Sequence, residues 1–165
     1  MNYLKINPND LVNGEGISLS LFVSGCDFHC EGCFNDTAWY FTSGKPFQKE
    51  DYEYIRDRLT DNNIIRNFSI LGGEPLHPLN RVSIYNLCIS LKKDIPELKI
   101  YLWTGYTMEE VKKEFPEILA TIDVLIDGRY EQSLRDITLK LRGSSNQNIW
   151  RKNSQGRFSL EDELI

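Results

Sequence analysis

The chain has 165 residues, 41% of them apolar and 26% charged, enough for one domain with its own core and ordinary for a globular protein. Its net charge of −5 argues against general nucleic-acid binding, which needs a basic surface. No apolar run reaches the length of a membrane span, and Met1-Asn2-Tyr3-Leu4-Lys5-Ile6 lacks the apolar stretch of a signal peptide, so a cytoplasmic single domain over residues 1–165 with reduced thiols is expected. In chain order, residues 17–23 read as a strand, alternating first and then apolar, and lead into a cysteine-rich loop that runs on to about Pro46. Residues 49–61 place Tyr52, Ile55 and Leu59 on one helical face. A short strand over residues 68–71 ends in Gly72-Gly73-Glu74-Pro75. Residues 79–93 form a helix whose apolar stripe is Ile84, Leu87, Cys88 and Leu91. Residues 98–103 form a strand, and Thr107-Met108-Glu109-Glu110 is a capping box that opens a helix. Pro116 breaks or kinks that helix. Residues 122–126 read as a buried strand; beyond Asp127 the pattern weakens, and Gly143-Ser144-Ser145-Asn146 is a loop.

The repeated βα alternation implies an α/β fold with a mainly parallel sheet and right-handed crossovers. A closed eight-stranded barrel needs at least ~200 residues, so the expectation is a partial, open (β/α) barrel. Ligands on such sheets gather beyond the carboxyl ends of the strands. The cysteine loop and Gly72-Gly73-Glu74-Pro75 both follow strands, which puts them on one edge.

Three of the four cysteines, Cys26, Cys30 and Cys33, fall within eight residues. In a reducing compartment, clustered thiols are more often ligands than cross-links. Cys88 stands apart in a helical stripe and reads as a small buried hydrophobe. Three thiolates suit either zinc, with His29 or His77 as fourth ligand, or an iron–sulfur cluster with one iron left open. Spacing leaves both possible. The charge is uneven: between Arg129 and Arg157 seven Lys/Arg stand against two Asp/Glu. That stretch is a run of solvated surface charge, or a positive field beside an anionic cofactor or partner.

Cys-x3-Cys-x2-Cys after the first strand, with Gly72-Gly73-Glu74-Pro75 after the next, resembles the radical S-adenosylmethionine (SAM) superfamily. Asn13-Gly14-Glu15-Gly16, Phe22-Val23-Ser24-Gly25-Cys26, Glu31-Gly32-Cys33-Phe34-Asn35, Trp103-Thr104-Gly105-Tyr106, the run from Asp123 through Asp127-Gly128-Arg129 to Tyr130, and Arg142-Gly143-Ser144-Ser145-Asn146-Gln147 resemble, more closely, the activating proteins of anaerobic ribonucleotide reductase. The resemblance implies a 4Fe–4S cluster on Cys26, Cys30 and Cys33, with SAM on the open iron. It further implies an external one-electron donor, and a partner, the large catalytic subunit of anaerobic ribonucleoside-triphosphate reductase, on which a glycyl radical is made. Gly72 and Gly73 would let backbone approach the methionine amino group, and Glu74 would accept a hydrogen bond from it. Thr104 and Asp127 match the cofactor edge of the site, and Arg129 is placed to bind the SAM carboxylate. Gly32 stands where many superfamily members carry an aromatic residue, a departure that fits this subfamily; Phe28 and Phe34 are candidates to pack adenine. The alternatives are an activase of another glycyl-radical enzyme, such as pyruvate formate-lyase, and a non-catalytic zinc-binding interaction module.

Overall fold

A computed structural model describes residues 1–161. The strands are β1 (Asn2–Asp10), β2 (Ser18–Val23), β3 (Lys45–Pro46), β4 (Asn67–Gly72), β5 (Ile100–Trp103), β6 (Val124–Asp127), β7 (Asn148–Lys152) and β8 (Phe158–Leu160). The helices are α1 (Lys49–Leu59), α2 (Arg81–Asp94) and α3 (Met108–Glu114), with single 3₁₀ turns at Asp36–Ala38, Pro116–Ala120 and Gln132–Leu134 among the connections. All eight strands share one sheet in the order β3-β1-β2-β4-β5-β6-β7-β8. Strands β2, β4, β5 and β6 run parallel, and the flanking pairs are antiparallel. The edge strands β3 and β8 do not meet, so the α/β barrel is partial and open, as expected, and its sheet is mixed.

Side-chain alternation sorts the two faces. Leu19, Leu21 and Val23 of β2, Phe68 and Ile70 of β4, Ile100 and Leu102 of β5 and Leu125 of β6 belong to one core cluster with Ile55, Ile84, Leu87, Cys88 and Leu91 of the helices. Cys88 is fully buried there, and burial pushes its thiol up to about 12. On the other face Tyr101, Val124, Ile126 and Ile149 form a smaller cluster, with Trp103 and Leu141 packed against it.

Four strands escape the sequence reading. β1 carries Lys5, Pro8 and Asp10, β7 carries Arg151 and Lys152, and each is fixed by antiparallel backbone pairing rather than by an apolar run. β3 has only two exposed residues, and β8 is largely exposed. The second helix begins at Arg81 rather than residue 79, because the Leu79 N–H donates to His77 Nδ1 at 3.1 Å. The capping box closes as read, with Glu110 N–H donating to Thr107 Oγ1 and Thr107 N–H to the Glu110 carboxylate. Pro116 opens a 3₁₀ turn where α3 ends. Among the described residues no helix is long and apolar enough to cross a membrane.

Candidate functional site

Each parallel strand delivers a loop at its carboxyl end: residues 24–33 after β2, Gly73 to Pro75 after β4, Thr104 to Tyr106 after β5, and Gly128 to Tyr130 after β6. The loops surround a cleft of about 900 Å³ on the concave face, whose lining includes Cys26, Cys30 and Cys33, Gly72, Gly73 and Glu74, Thr104, and Arg129. Eight of the nine residues singled out in the sequence thus meet in one place; Asp127 alone is absent from the lining. The hairpin Asn13 to Gly16 joins β1 to the start of β2, at the amino ends of the parallel strands, and lines the same cleft from that opposite end.

Gly72 and Gly73 are dictated by a close approach of backbone to backbone. Gly72 has φ +111, and a Cβ there would stand 2.7 Å from Val23 N and O; one at Gly73 would stand 2.6 Å from Gly25 O. Gly73 N–H donates to Val23 O at 2.8 Å and Glu74 N–H to Gly25 O at 2.7 Å. The turn after β4 is therefore laid directly onto the root of the cysteine loop. Glu74 then turns inward. It is 2% exposed and accepts from Gly105 N–H at 2.6 Å, Leu76 N–H at 3.1 Å and Thr104 Oγ1 at 2.8 Å. Burial pushes its carboxyl up to about 7 against the pull of these donors.

Asp127 is equally buried, and its carboxylate faces backbone. Met108 N–H, at the start of α3, donates to Oδ2 at 2.7 Å, and Asn148 N–H, at the start of β7, donates to Oδ1 at 3.2 Å. Arg129 faces the cleft with its guanidinium 4.2 Å from the centroid of the Phe28 ring, and Phe28 is braced edge-on by Tyr106 at 5.0 Å. Two residues not singled out individually hold this segment: Gln147 Nε2 donates to Gly128 O at 2.9 Å and Asn146 Nδ2 to Arg129 O at 2.7 Å. Their motif belonged to the family resemblance, but side-chain-to-carbonyl contacts between distant loops leave no periodic signal.

Gly32 has φ +75, and the Gln132 side chain occupies the place of its missing Cβ, with Oε1 only 2.0 Å from that point. Phe28 and Phe34 both line the cleft, and Phe34 is 70% exposed.

The thiols fit a cluster rather than a single ion. Cys26, Cys30 and Cys33 all line the one cleft, and a cubane meets each thiolate through a separate iron. His29 stacks on Trp39 at 4.4 Å. Both ring nitrogens of His77 are taken, Nδ1 by Leu79 N–H and Nε2 by Asp27 at 2.6 Å, and neither histidine lines the cleft that the three cysteines share. Burial pushes the Cys26 thiol up to about 11, opposed by the N–H groups of Phe28 and His29. Burial, then Cys33, raises Cys30, opposed by the Tyr130 N–H and the Arg129 charge. Asn35 N–H lies 3.4 Å from Cys33 Sγ. Iron binding displaces the thiol protons, and N–H···S contacts of this kind stabilise the charge that remains on sulfur.

The fold and site define a single-cluster iron–sulfur protein: the family described as "4Fe-4S single cluster domain" matches residues 12–150. Relatives are similar over nearly their whole length. The anaerobic ribonucleoside-triphosphate reductase-activating protein of Pasteurella multocida (strain Pm70) is 43% identical over 92% of this chain and 98% of its own. The proteins of that name from Escherichia coli (strain K12), 42% identical over 89% and 96%, and from Enterobacteria phage T4, 43% identical over 91% and 94%, match likewise. The chain belongs to the family of anaerobic ribonucleoside-triphosphate reductase-activating proteins.

Proposed function

We propose that this chain activates an anaerobic ribonucleotide reductase by radical SAM chemistry. The observation that carries the reading is the convergence of Cys26, Cys30 and Cys33 with Gly72, Gly73 and Glu74 on one cleft at the carboxyl ends of parallel strands. Cys26, Cys30 and Cys33 would hold a 4Fe–4S cluster, which with an external one-electron donor would supply the reductive SAM chemistry by which a glycine of the large reductase subunit is activated.

The chain's own residues supply position and charge. Cys26, Cys30 and Cys33 would hold three irons as thiolates, and the open iron would be free for SAM. The side-chain-free backbone at Gly72 and Gly73 gives the methionine end a close approach. Glu74, with its carboxyl near 7, sits where an ammonium group beside it would draw it into the charged form. Thr104 holds Glu74 in place. Arg129, steadied on Phe28, offers a guanidinium that grips both oxygens of a carboxylate. Asp127 acts through the backbone of α3 and β7, as a positioning residue. The open barrel leaves its mouth accessible to a glycine-bearing loop of a protein substrate, and Arg129, Lys140 and Arg142 border it. Such chemistry needs reduced thiols, which accords with a cytoplasmic site.

The test is electron paramagnetic resonance of the anaerobic, reduced mixture of this protein, SAM and the large reductase subunit. A glycyl doublet that depends on all three components is expected. Its absence with a cluster-loaded protein contradicts the reading; its appearance only with pyruvate formate-lyase as partner would move the activity to that enzyme.

A further inference from the structure

The turn between β4 and α2 grips both sides of Cys26. Ahead of it, Asn80 Nδ2 donates to Ser24 O at 2.9 Å and Glu74 N–H donates to Gly25 O at 2.7 Å. Behind it, His77 Nε2 lies 2.6 Å from the Asp27 carboxylate. Because Leu79 N–H donates to His77 Nδ1 at 3.1 Å, the ring proton sits on Nε2, and His77 is the donor to Asp27. The ring also rests against Phe41 at 4.5 Å, and Phe41 fills the space a side chain at Gly25 would need, 2.0 Å from its missing Cβ. The thiols' own N–H contacts lie outside this turn, from Phe28 and His29 for Cys26, Tyr130 for Cys30 and Asn35 for Cys33, whereas the backbone flanking Cys26 is held by the turn. Cys26 is thus the ligand tied to the turn that also carries Gly73 and Glu74.

We propose that His77 and Asp27 form a strap that fixes Cys26, and through it the cluster, against the Gly72–Glu74 edge, with His77 as a positioning residue. The strap rests on Cys26 being a cluster ligand. It sets the direction in which the Cys26 sulfur is presented and resists the loop opening that releases iron. Outer-shell partners of metal ligands act in this way, and their loss typically changes metal retention by about 10- to 100-fold.

The experiment follows cluster loss by visible absorbance when anaerobic holoprotein is challenged with an iron chelator. The variants are His77→Phe, Asp27→Ala, the double variant and Asp27→Asn. His77→Phe keeps a ring against Phe41 and removes only the donor. The Asp27 side chain is 70% exposed, so Asp27→Ala leaves the core untouched and stays informative even where His77→Phe folds poorly. Each single variant is expected to lose its cluster about tenfold faster than wild type. The double variant is expected to be no faster than either single, because both remove one contact. Asp27→Asn, which keeps an acceptor oxygen, should stay within about twofold of wild type. Wild-type loss rates in Asp27→Ala and His77→Phe, or rates that multiply in the double variant, overturn the strap. A wild-type protein that takes up no iron overturns the cluster assignment beneath it, and metal content alone tells that failure apart.

Discussion

Glu74 illustrates how much one side chain carries here. Its two oxygens bind the loop after β5 through Thr104 and Gly105 and the turn after β4 through Leu76, so it joins the two loops most intimate with the cysteines. The folded protein keeps this carboxyl protonated up to about pH 7, against an ordinary value of 4.5. Between those values unfolding releases a proton, so this group's contribution to stability is fullest below pH 4.5 and is lost as pH rises through about 7. Glu74→Gln should therefore flatten the fall of the denaturation midpoint between pH 5 and pH 7, while costing a hydrogen bond where its amide meets the Leu76 N–H. An unchanged pH slope would contradict the assignment. Asp127 makes a contrasting case. Asp127→Ala strands the buried Met108 N–H and unpairs the partly buried Asn148 N–H, and is expected to lower unfolding free energy by about 1–3 kcal/mol. Asp127→Asn, which keeps one carbonyl acceptor, should lose less. A wild-type urea midpoint for Asp127→Ala would show that the carboxylate does not hold α3 and β7 as described.

At the level of elements, the central βα alternation was legible because β2, β4, β5 and β6 bury apolar residues and α1, α2 and α3 carry helical periodicity or a capping box. The flanks were not, since β1 and β7 are held by ladder hydrogen bonds that mixed polar sequences satisfy equally well. The candidate site was legible for a related reason: cysteines and paired glycines after strands are rare and local, whereas the roles of Gln132, Asn146 and Gln147 exist only once distant loops meet. Gly32 shows both sides of this. Its position marked a subfamily in the sequence, and the fold supplies a physical cause, a left-handed backbone at φ +75 that favours glycine, with the exposed tip of Gln132 lying in the place of its missing Cβ. Gly32→Ala should therefore distort the cysteine loop and cut cluster occupancy several-fold. Gln132→Gly in the same chain should restore part of it, leaving the cost of a side chain at φ +75, about 1 kcal/mol. No difference between the single and double variants would place the whole penalty in the backbone.

Across the whole molecule, the sheet's two faces divide the labour. The helix-covered face holds the large core, including Cys88, and the concave face carries the cleft. The basic stretch noted in the sequence reaches that cleft through Arg129, Lys140, Arg142 and Arg151; Arg151 is engaged there by Glu15, which ties the hairpin before β2 to β7, and by Glu161 just past β8. Every part of this account depends on the three clustered thiols holding a cluster with one iron free for a ligand. The direct measurement is the iron and acid-labile sulfide content of anaerobically purified and reconstituted protein, compared with Cys26→Ala, Cys30→Ala, Cys33→Ala and Cys88→Ala. The account predicts about four iron and four sulfide per chain in wild type and Cys88→Ala, and loss of the cluster in each of the other three. About one zinc with no sulfide, or a cluster that survives loss of Cys26, Cys30 or Cys33, would contradict it.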